Sequence, residues 1–353
     1  MDGAAQSQDQ PSVEGIDPVG VTAWFVDHAP AVTPPLAFEL ITGGHSNLTF
    51  SVRDAEGRHW VLRRPPLGQV LATAHDMGRE HRIISALAGT DVPVAPTVGL
   101  CTDESVNGAP FYVMDFVDGT VVRDATVAEQ LSPEVRLRAS QSMVEVLARI
   151  HAVDLVGCGL DDLGRHEGYI ERQLKRWYSQ FEKSKTREVP ELDRVYQDLM
   201  SEIPLQAGAT IVHGDYRLDN CMVGPDGQVV AVLDWEICTL GDPLADLGLL
   251  MVYWTDPDDA HPAGLSGATT LDGFLRRPEL VERYGELSGR DLTAIDYYVA
   301  FGYWKLACII EGVYARYKGG AMGHRGGEGD FDFFGVQVIS LVESARQAIG
   351  RLE

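Results

Sequence analysis

The sequence has few cysteines and no long apolar run. Its five cysteines are widely spaced and odd in number, and no C-x-x-C occurs, so neither a disulfide framework nor a zinc site is indicated. No apolar stretch approaches the roughly 20 residues that a membrane-spanning helix needs. The polar start, MDGAAQSQDQPSVEG, lacks an apolar signal region, and we expect residues 1–15 to be a disordered tail. These absences predict a cytoplasmic protein without a membrane partner.

Basic residues are also scarce. The 353 residues include 29 Lys and Arg against 52 Asp and Glu, which gives a formal net charge of -23. A chain this acidic is poorly suited to phosphate backbones, so nucleic acid is not an expected partner. Either the charge only keeps the protein soluble, or it attracts a cationic small molecule.

Several catalytic signatures are missing. The sequence contains no G-x-x-x-x-G-K-S/T and no H-E-x-x-H, which excludes a P-loop enzyme and a zincin-type metalloprotease. The glycine-rich segment 319–331 follows a predicted helix rather than a strand, so it is not a dinucleotide-binding fingerprint.

The patterns that are present change near residue 118. Before it, alternating apolar residues predict strands, and one segment, 76–89, has helical spacing. After it, helices dominate around short strands at TIVHG and VVAVLDW. The predicted strands are 36–42, 47–54, 59–65, 97–102 and 110–117, and the predicted later helices are 135–154, 166–183, 190–203, 293–320 and 333–349. The pattern predicts an α+β fold with a small antiparallel sheet lobe and a larger helical lobe containing a short strand pair.

The segment IVHGDYRLDN (211–220) places several polar side chains where an apolar strand ends. A Pro-Asp-Gly turn then returns the chain to Asp234, so Asp215, Asn220 and Asp234 are expected to meet at one end of a hairpin. Phosphoryl transfer needs a carboxylate to orient the acceptor hydroxyl and oxygen ligands for magnesium. The D-x-x-x-x-N spacing equals that of the kinase catalytic loop. The alternative is a turn in which Asp and Asn only form local hydrogen bonds.

These motifs resemble the aminoglycoside phosphotransferase family, which is related to choline kinases and shares the protein-kinase fold. The matching residues are His213–Asn220, Leu233–Glu236, Gly241–Pro243 and Asp246–Leu247. The resemblance covers roughly residues 35–320. The segments VLRRPP, GLDDLGRHEGYIERQLKRW and IIEGVYARY are similar to a subgroup that also occurs as a kinase-like domain fused to acyl-CoA dehydrogenases.

The resemblance implies a nucleotide-binding lobe at 16–117 and a lobe for catalysis and acceptor binding at 118–353. It makes Asp215 the catalytic base, and Asn220 and Asp234 the ligands of Mg²⁺, with ATP as co-substrate. Arg217 either touches the transferring phosphate or forms a surface ion pair. The residues expected to support the loop are His213, Asp242 and Asp246.

In the first lobe, the resemblance implies that a loop and two charged side chains bind the nucleotide. The loop residues are Gly44, His45, Ser46 and Asn47, although the same sequence also fits an ordinary hairpin. Arg63 stands where kinases carry a lysine for the α- and β-phosphates, with Glu80 as its partner. If the strand register shifts by one residue, Arg64 takes that role.

For the adenine and acceptor sites, the candidate residues also fit positions in the core. The backbone of Asp115 and Val117 is expected to bind adenine beside Met114, which fits the core equally well. Aromatic and charged residues at helical spacing are candidates for the acceptor site or for the core: Tyr169, Arg172, Trp177, Trp304, Glu311 and Tyr314. The acceptor is interpreted as an aminoglycoside or as a hydroxyacyl or other hydroxylated metabolite. A nucleotide-binding module without catalysis is the alternative function.

Overall fold

The computed structural model describes residues 13–29, 31–41, 47–68, 76–259, 267–319 and 331–352. The chain divides into two compact units. Unit 1 comprises residues 1–89 and 94–117, and unit 2 comprises residues 90–93 and 118–353. The change of unit at Val117 and Asp118 falls where the sequence pattern changes from strands to helices.

Unit 1 contains a five-stranded antiparallel sheet in the order β1-β2-β3-β5-β4. Its described elements are helices α1 (Pro18–His28), α2 (Met77–Leu87) and α3 (Glu104–Asn107), and strands β1 (Ala37–Leu40), β2 (Leu48–Arg53), β3 (His59–Arg64), β4 (Thr97–Cys101) and β5 (Phe111–Asp115). Helix α1 was not predicted from the sequence. It begins at Pro18, and the Asp17 carboxylate accepts the N–H groups of Val19 and Gly20 at 3.0 and 3.1 Å, which satisfies two unpaired helix-start donors.

The alternation along the strands divides the sheet into two faces. Phe50, Val52 and Leu62 are fully buried on one face, in the same apolar cluster as Val21 and Phe25 of α1. The alternate positions of β3 and β5 face the other way, toward α2. The register of β3 therefore decides which of its two consecutive arginines faces α2.

Unit 2 is mainly helical. Its described elements are helices α4 (Ala125–Ala128), α5 (Pro133–Ile150), α6 (Tyr169–Ser184), α7 (Pro190–Ser201), α8 (Pro243–Tyr253), α9 (Arg277–Ser288), α10 (Ile295–Lys318) and α11 (Asp332–Ile349), and strands β6 (Thr210–Val212), β7 (Cys221–Val223), β8 (Val229–Val232) and β9 (Thr239–Gly241). Across the part of the chain that is described, no helix is both long and apolar enough to cross a membrane.

The short strands form two pairs, not the one pair indicated by the sequence. Strand β7 pairs with β8 through the Pro-Asp-Gly turn, whereas β6 pairs with β9. Strand β9 has only three residues, Thr239–Gly241, which is too short for a propensity pattern. Both pairs end close in sequence to the motif residues, so they fix the chain on either side of the candidate site.

Helices α8 and α10 form the centre of unit 2. Every residue of α8 from Pro243 to Val252 is buried, and α10 packs against α6, α7, α8 and α11. The two helices approach closely at Gly248, where a Cβ atom would lie 2.5 Å from the carbonyl carbon of Tyr298. This close packing carries side chains of α8 and α10 to the loop that follows β6.

Candidate active site

The loop after β6 begins with a turn that requires glycine. Gly214 has φ of 84°, a conformation that residues with a Cβ rarely adopt. A Cβ at this position would also lie 3.1 Å from the side chain of Ile237. The sharp turn directs the chain away from buried β6 and leads to Asp215.

Asp246, in the first turn of α8, holds the start of this loop. Its buried carboxylate accepts the backbone N–H of His213 at 2.7 Å and that of Gly214 at 2.8 Å, and His151 lies 3.4 Å away. Burial acts to raise the pKa of Asp246, but the hydrogen bonds and the nearby histidines outweigh it, so the pKa lies below its usual value. The ionised carboxylate therefore anchors the loop to α8.

His213 connects the two sides of the site through its ring. Its Nδ1 accepts the backbone N–H of Asp215 at 3.3 Å, and its Nε2 donates to the carbonyl oxygen of Leu233 at 2.9 Å. These partners assign the tautomer that carries its proton on Nε2. The ring is fully buried and packs against Trp235. Both ring nitrogens are thus used in holding backbone.

The hydrogen bonds of Asn220 bring the motif residues together. Its side-chain Nδ2 donates to both the backbone carbonyl and the carboxylate of Asp215, at 2.8 Å each. The backbone carbonyl of Asn220 accepts the N–H of Leu233 at 2.8 Å, which fixes the residue before Asp234. Since the amide nitrogen faces Asp215, the amide oxygen remains as the group that can ligate a cation.

Asp234 has an unusual backbone conformation. Its φ of 64° and ψ of 59° lie in the left-handed region, which residues with a side chain adopt at a cost of about 1–3 kcal/mol. It joins β8 to the short turn Trp235–Ile237. Strain of this kind accumulates at functional sites, where the required direction of a side chain outweighs its cost.

Arg217 is surrounded by groups of unit 2. Its guanidinium forms ion pairs with Asp215 at 3.4 Å and Asp219 at 3.0 Å and lies 4.8 Å from the ring of Tyr253. Burial acts to lower its pKa, but the nearby carboxylates and Tyr253 raise it overall. Burial also raises the pKa of Asp219. Arg217 is therefore held beside Asp215 rather than extended into solvent.

Lys305, which lies outside the sequence motifs, also reaches this loop. Its side chain lies on α10, is 6% exposed, and donates from Nζ to the carbonyl oxygen of Gly214 at 2.9 Å. The ring of Trp177 is 5.7 Å from the ammonium. Burial lowers the pKa of Lys305, opposed by the charges of Asp215 and Asp246. A lone lysine in the apolar run YYVAFGYWKLACII was the available signal, because a charge is rarely buried without a purpose.

The donor set of the site fits magnesium better than a transition metal. Among the described residues, no group of three or more His, Cys, Asp and Glu side chains is arranged around a metal position. The candidate ligands are instead the amide oxygen of Asn220 and the carboxylate of Asp234. Mg²⁺ is commonly held by one or two protein oxygens while water and phosphate oxygens complete its shell.

In unit 1, the β3 register settles the roles of the two consecutive arginines. Arg63 lies opposite Thr49 and Tyr112 in the sheet, and its Nε is 3.3 Å from the buried carboxylate of Glu80 on α2. Arg64 faces away and donates to backbone carbonyls, including that of Asn107 at 3.1 Å. Arg63 is therefore the cation paired with the helix.

The other nucleotide-binding candidates of unit 1 are only partly described. Gly44, His45 and Ser46 lie outside the described residues, whereas Asn47 is buried at 5% exposure. Met114, on β5, lies opposite Val61. The N–H of Asp115 donates to the carbonyl of Pro96 at 2.8 Å, so only the carbonyl of Asp115 and the backbone of Val117 are kept as candidate adenine contacts. Burial raises the pKa of Asp115.

Comparison with known families decides the class of protein. The family model described as "Phosphotransferase enzyme family" matches residues 37–285, which is more than two thirds of the chain. The chain belongs to this family. The match includes the loop after β6 and Asp234 in unit 2 and the Arg63–Glu80 pair in unit 1.

Similar proteins include solved phosphotransferases. A protein from Ralstonia eutropha JMP134, solved under the provisional name of an aminoglycoside phosphotransferase, is 34% identical with a TM-score of 0.80, covering 95% of this chain and 99% of that one. A thermostable aminoglycoside phosphotransferase mutant in ternary complex with AMP-PNP and hygromycin B has a TM-score of 0.59 at 15% identity, covering 92% of this chain and 98% of that one. The second likeness shows the fold alone, which is protein-kinase-like.

Curated relatives are longer proteins. Acyl-CoA dehydrogenase family member 11 of Gallus gallus is 33% identical over 90% of this chain and 41% of its own length. Family member 10 of Mus musculus is 38% identical over 80% of this chain and 27% of its own length. The chain thus spans about two fifths or less of these relatives, and it matches the subgroup whose members carry a kinase-like domain.

Several acceptor candidates of this phosphotransferase prove to be core residues. Trp304 is fully buried and donates to the carbonyl of Leu192 at 3.1 Å. Glu311, also fully buried, accepts two hydrogen bonds from Thr186. Tyr169 is 3% exposed. Their helical spacing reflects packing, so they are not kept as acceptor contacts.

The remaining acceptor candidates differ in burial, since Arg172 and Trp177 are half-buried whereas Tyr314 is 6% exposed. Arg172 is half-buried and donates to the carbonyl of Arg165 at 3.0 Å. The Tyr314 hydroxyl donates to Asp332 at 3.1 Å, which uses its polar group within the unit. Trp177 is half-buried, and its ring is near the Lys305 ammonium that contacts the loop after β6. Arg172 and Trp177 remain proposals for acceptor binding.

Proposed function

We propose that this chain transfers the γ-phosphate of ATP to a hydroxyl group of a small molecule in a Mg²⁺-dependent reaction. The observation that carries the proposal is the hydrogen-bonded arrangement of Asp215, Asn220 and the segment of Asp234 in unit 2. The family assignment supports the reaction class. The cytoplasm is the proposed location, and the acceptor and ATP are the proposed partners.

Asp215 is the proposed base. Its carboxylate accepts a hydrogen bond from the acceptor hydroxyl and receives that proton as the new oxygen–phosphorus bond forms. The bond between the γ-phosphorus and the bridging oxygen breaks, and ADP leaves with the electron pair. The Asn220 amide and His213 hold the base in place, because one donates to its carboxylate and the other accepts its backbone N–H.

Asn220 and Asp234 are the proposed magnesium ligands. Bound Mg²⁺ supplies positive charge that neutralises phosphate oxygens during transfer. Asp234 is suited to this role because its strained backbone sets the direction of its carboxylate. Arg217 is proposed to contact the transferring phosphate from its position beside Asp215 and Tyr253.

Unit 1 is the proposed nucleotide-binding unit. Arg63, held by Glu80, provides a permanent cation with a planar fork for the phosphates in place of the usual lysine. Gly44, His45, Ser46 and Asn47 are proposed to contact phosphate through backbone N–H groups. Met114, the carbonyl of Asp115 and the backbone of Val117 are proposed to hold adenine.

We favour a hydroxyacyl or other hydroxylated metabolite over an aminoglycoside as the acceptor. Lys305 lies beside the loop of the base, and Arg176 is 5.3 Å from the same Trp177 ring that Lys305 approaches. A polycationic acceptor near Trp177 would be repelled by these two cations. The names of the curated relatives, which refer to acyl-CoA dehydrogenases, also favour an acyl compound. A panel of acceptors with ADP release as readout tests the preference.

The test of the proposed base replaces Asp215 with Asn and measures acceptor-dependent ADP release. We expect kcat to fall by about 10²–10⁴-fold, since the proton acceptor is lost while the side chain keeps its shape. Asp219→Asn is the matched control, because Asp219 lies on the same loop and pairs with the same arginine. Unchanged turnover in Asp215→Asn, or an equal loss in both variants, contradicts the assignment.

A nucleotide-binding module without catalysis is the second candidate function. Residue 63 is an arginine where kinases carry a lysine, and this observation favours a role in binding alone. ATP binding without acceptor-dependent turnover across a broad panel would support this function and argue against the first.

A further inference from the structure

Lys305 is a buried ammonium whose contacts lead to the loop of the proposed base. Nζ has three N–H donors, and it donates to the carbonyl oxygen of Gly214, the residue directly before Asp215. The side chain projects from the middle of α10, a helix packed against four neighbours, so its position is firmly fixed. Its stem is surrounded by the core of unit 2.

Burying a charge in this way is costly for folding. An ammonium loses strong hydration on burial, and a backbone carbonyl replaces only part of it. A lysine used only for packing would be replaced without loss by an apolar side chain of similar length, such as methionine. The arrangement therefore needs a reason other than stability.

The groups that face Lys305 identify that reason. The carboxylates of Asp215, on the loop, and Asp246, on α8, attract its charge, whereas Arg176 on α6 opposes it. The ring of Trp177 on α6 approaches it from another side. Lys305 thus binds the same turn as Asp246, one through the carbonyl of Gly214 and the other through its N–H.

We infer that Lys305 is a positioning residue for phosphoryl transfer, which holds the Gly214 carbonyl and so sets the direction in which Asp215 leaves the turn. This inference rests on the proposed function of Asp215. The ammonium binds the carbonyl oxygen of Gly214, and the Asp246 carboxylate binds its N–H, so both backbone polar groups of this glycine are held. Without the ammonium, the turn at Gly214 gains freedom, and the base samples positions from which it cannot reach the hydroxyl.

The test compares Lys305→Met, Lys305→Arg and wild type by steady-state kinetics and thermal unfolding. We expect kcat of Lys305→Met to fall by about 10²-fold, with the KM for ATP within about threefold of wild type, because a base displaced by about 1 Å loses transfer and not nucleotide binding. Its Tm is expected to stay equal or rise, because the buried charge is gone. Lys305→Arg, which keeps a cation and a donor, is expected to recover at least about tenfold of the lost kcat.

Tyr297→Phe is the matched control. Tyr297 is another buried side chain of α10 that donates to a backbone carbonyl, that of Leu199 at 2.7 Å, away from the loop. It is expected to lower Tm and leave kcat unchanged. A Lys305→Met variant that behaves like it, with lower Tm and normal kcat, overturns the inference.

The remaining outcomes separate this inference from the proposed function. If Asp215→Asn keeps its turnover, the assigned base is wrong. If Asp215→Asn is inactive and Lys305→Met keeps wild-type kcat, only the inference about Lys305 is wrong. Equal loss of kcat in the Met and Arg variants also overturns it. If Lys305→Met does not fold, Lys305→Gln takes its place with the same expected loss of kcat, because its amide is uncharged and its side chain is one bond too short to hold the Gly214 carbonyl as the ammonium does.

Discussion

The two units hold their proposed functional groups in different ways. In unit 2, the loop after β6 is fixed by hydrogen bonds of 2.7–2.9 Å with Asp246 on α8, with Lys305 on α10 and with Asn220 at the end of the loop itself. In unit 1, Arg63 is held by the register of β3 and a 3.3 Å ion pair with Glu80. The comparison teaches that the proposed base is held through hydrogen bonds to the backbone and side chains of its loop, whereas the proposed phosphate-binding cation is held through an ion pair with a neighbouring helix.

The largest expected effect comes from removing the hydrogen bonds that Asp246 forms with the loop after β6. In Asp246→Asn, only one side-chain oxygen remains for the N–H groups of His213 and Gly214, and an amide N–H₂ faces one of these donors. We expect the free energy of unfolding at neutral pH to fall by about 3–5 kcal/mol, together with a loss of kcat. Urea titration followed by circular dichroism measures the first quantity.

The same variant makes a prediction about pH. Because the pKa of Asp246 in the folded protein lies below its usual value of 3.8, its stabilisation is present above about pH 4 and is lost as the pH falls through the folded pKa. The difference between wild type and Asp246→Asn should therefore narrow below about pH 4. A difference that stays constant across this range would contradict the role of the charged form.

Asp242→Asn is the control for position in the helix. Asp242 is also fully buried at the start of α8, but it accepts from Tyr298, Leu244 and Ala207 rather than from the loop. Burial raises the pKa of Asp242, so its ionised form contributes less to stability than that of Asp246 does. We expect a loss of about 1–2 kcal/mol, typical of a helix cap, and a smaller change in kcat.

An intermediate effect is expected in unit 1, where Arg63 is paired with Glu80. Arg63→Met removes the proposed phosphate-binding cation, and we expect kcat/KM for ATP to fall by about 10²-fold, because a hydrogen bond to a charged group contributes about 1.5–3 kcal/mol. Arg64→Met is the control on the opposite face of β3. It should lower stability through lost contacts with carbonyls such as that of Asn107, without a selective effect on ATP. Equal effects of the two variants on kcat/KM would refute the register argument.

The smallest effect concerns the ring beside Arg217. Tyr253→Leu removes the aromatic face 4.8 Å from the guanidinium, and a contact of this kind contributes about 0.5–2 kcal/mol. We expect kcat to fall by about fivefold, measured in the same ADP-release assay. Tyr253→Phe keeps the ring and should retain most of the activity. If Phe is as impaired as Leu, the hydroxyl rather than the ring is responsible.

The sequence predicted those parts of the molecule that depend on local pattern. The alternation along β2 and β3 and the apolar spacing of α5 and α10 placed these elements within a few residues of their observed bounds. The spacing between Asp215 and Asn220 predicted their contact, since a short loop leaves few alternatives. The Pro-Asp-Gly turn predicted the β7–β8 pair.

What the sequence did not predict depends on distant contacts. Lys305 follows the loop of Asp215 by about ninety residues, and no spacing rule connects a helix residue to a turn so far away. Strand β9 is defined only by its pairing with β6. Trp304 and Glu311 were candidates for the acceptor site or for the core, because helical spacing does not distinguish the two, and both are fully buried.

The left-handed backbone at Asp234 has a consequence for engineering. A glycine there would relieve the conformational cost, and screens that select heat-resistant variants without measuring turnover would therefore enrich it. Such a library would gain robustness by discarding a proposed cation ligand. Designers who want a durable enzyme should keep residue 234 invariant and seek their gains elsewhere in the chain.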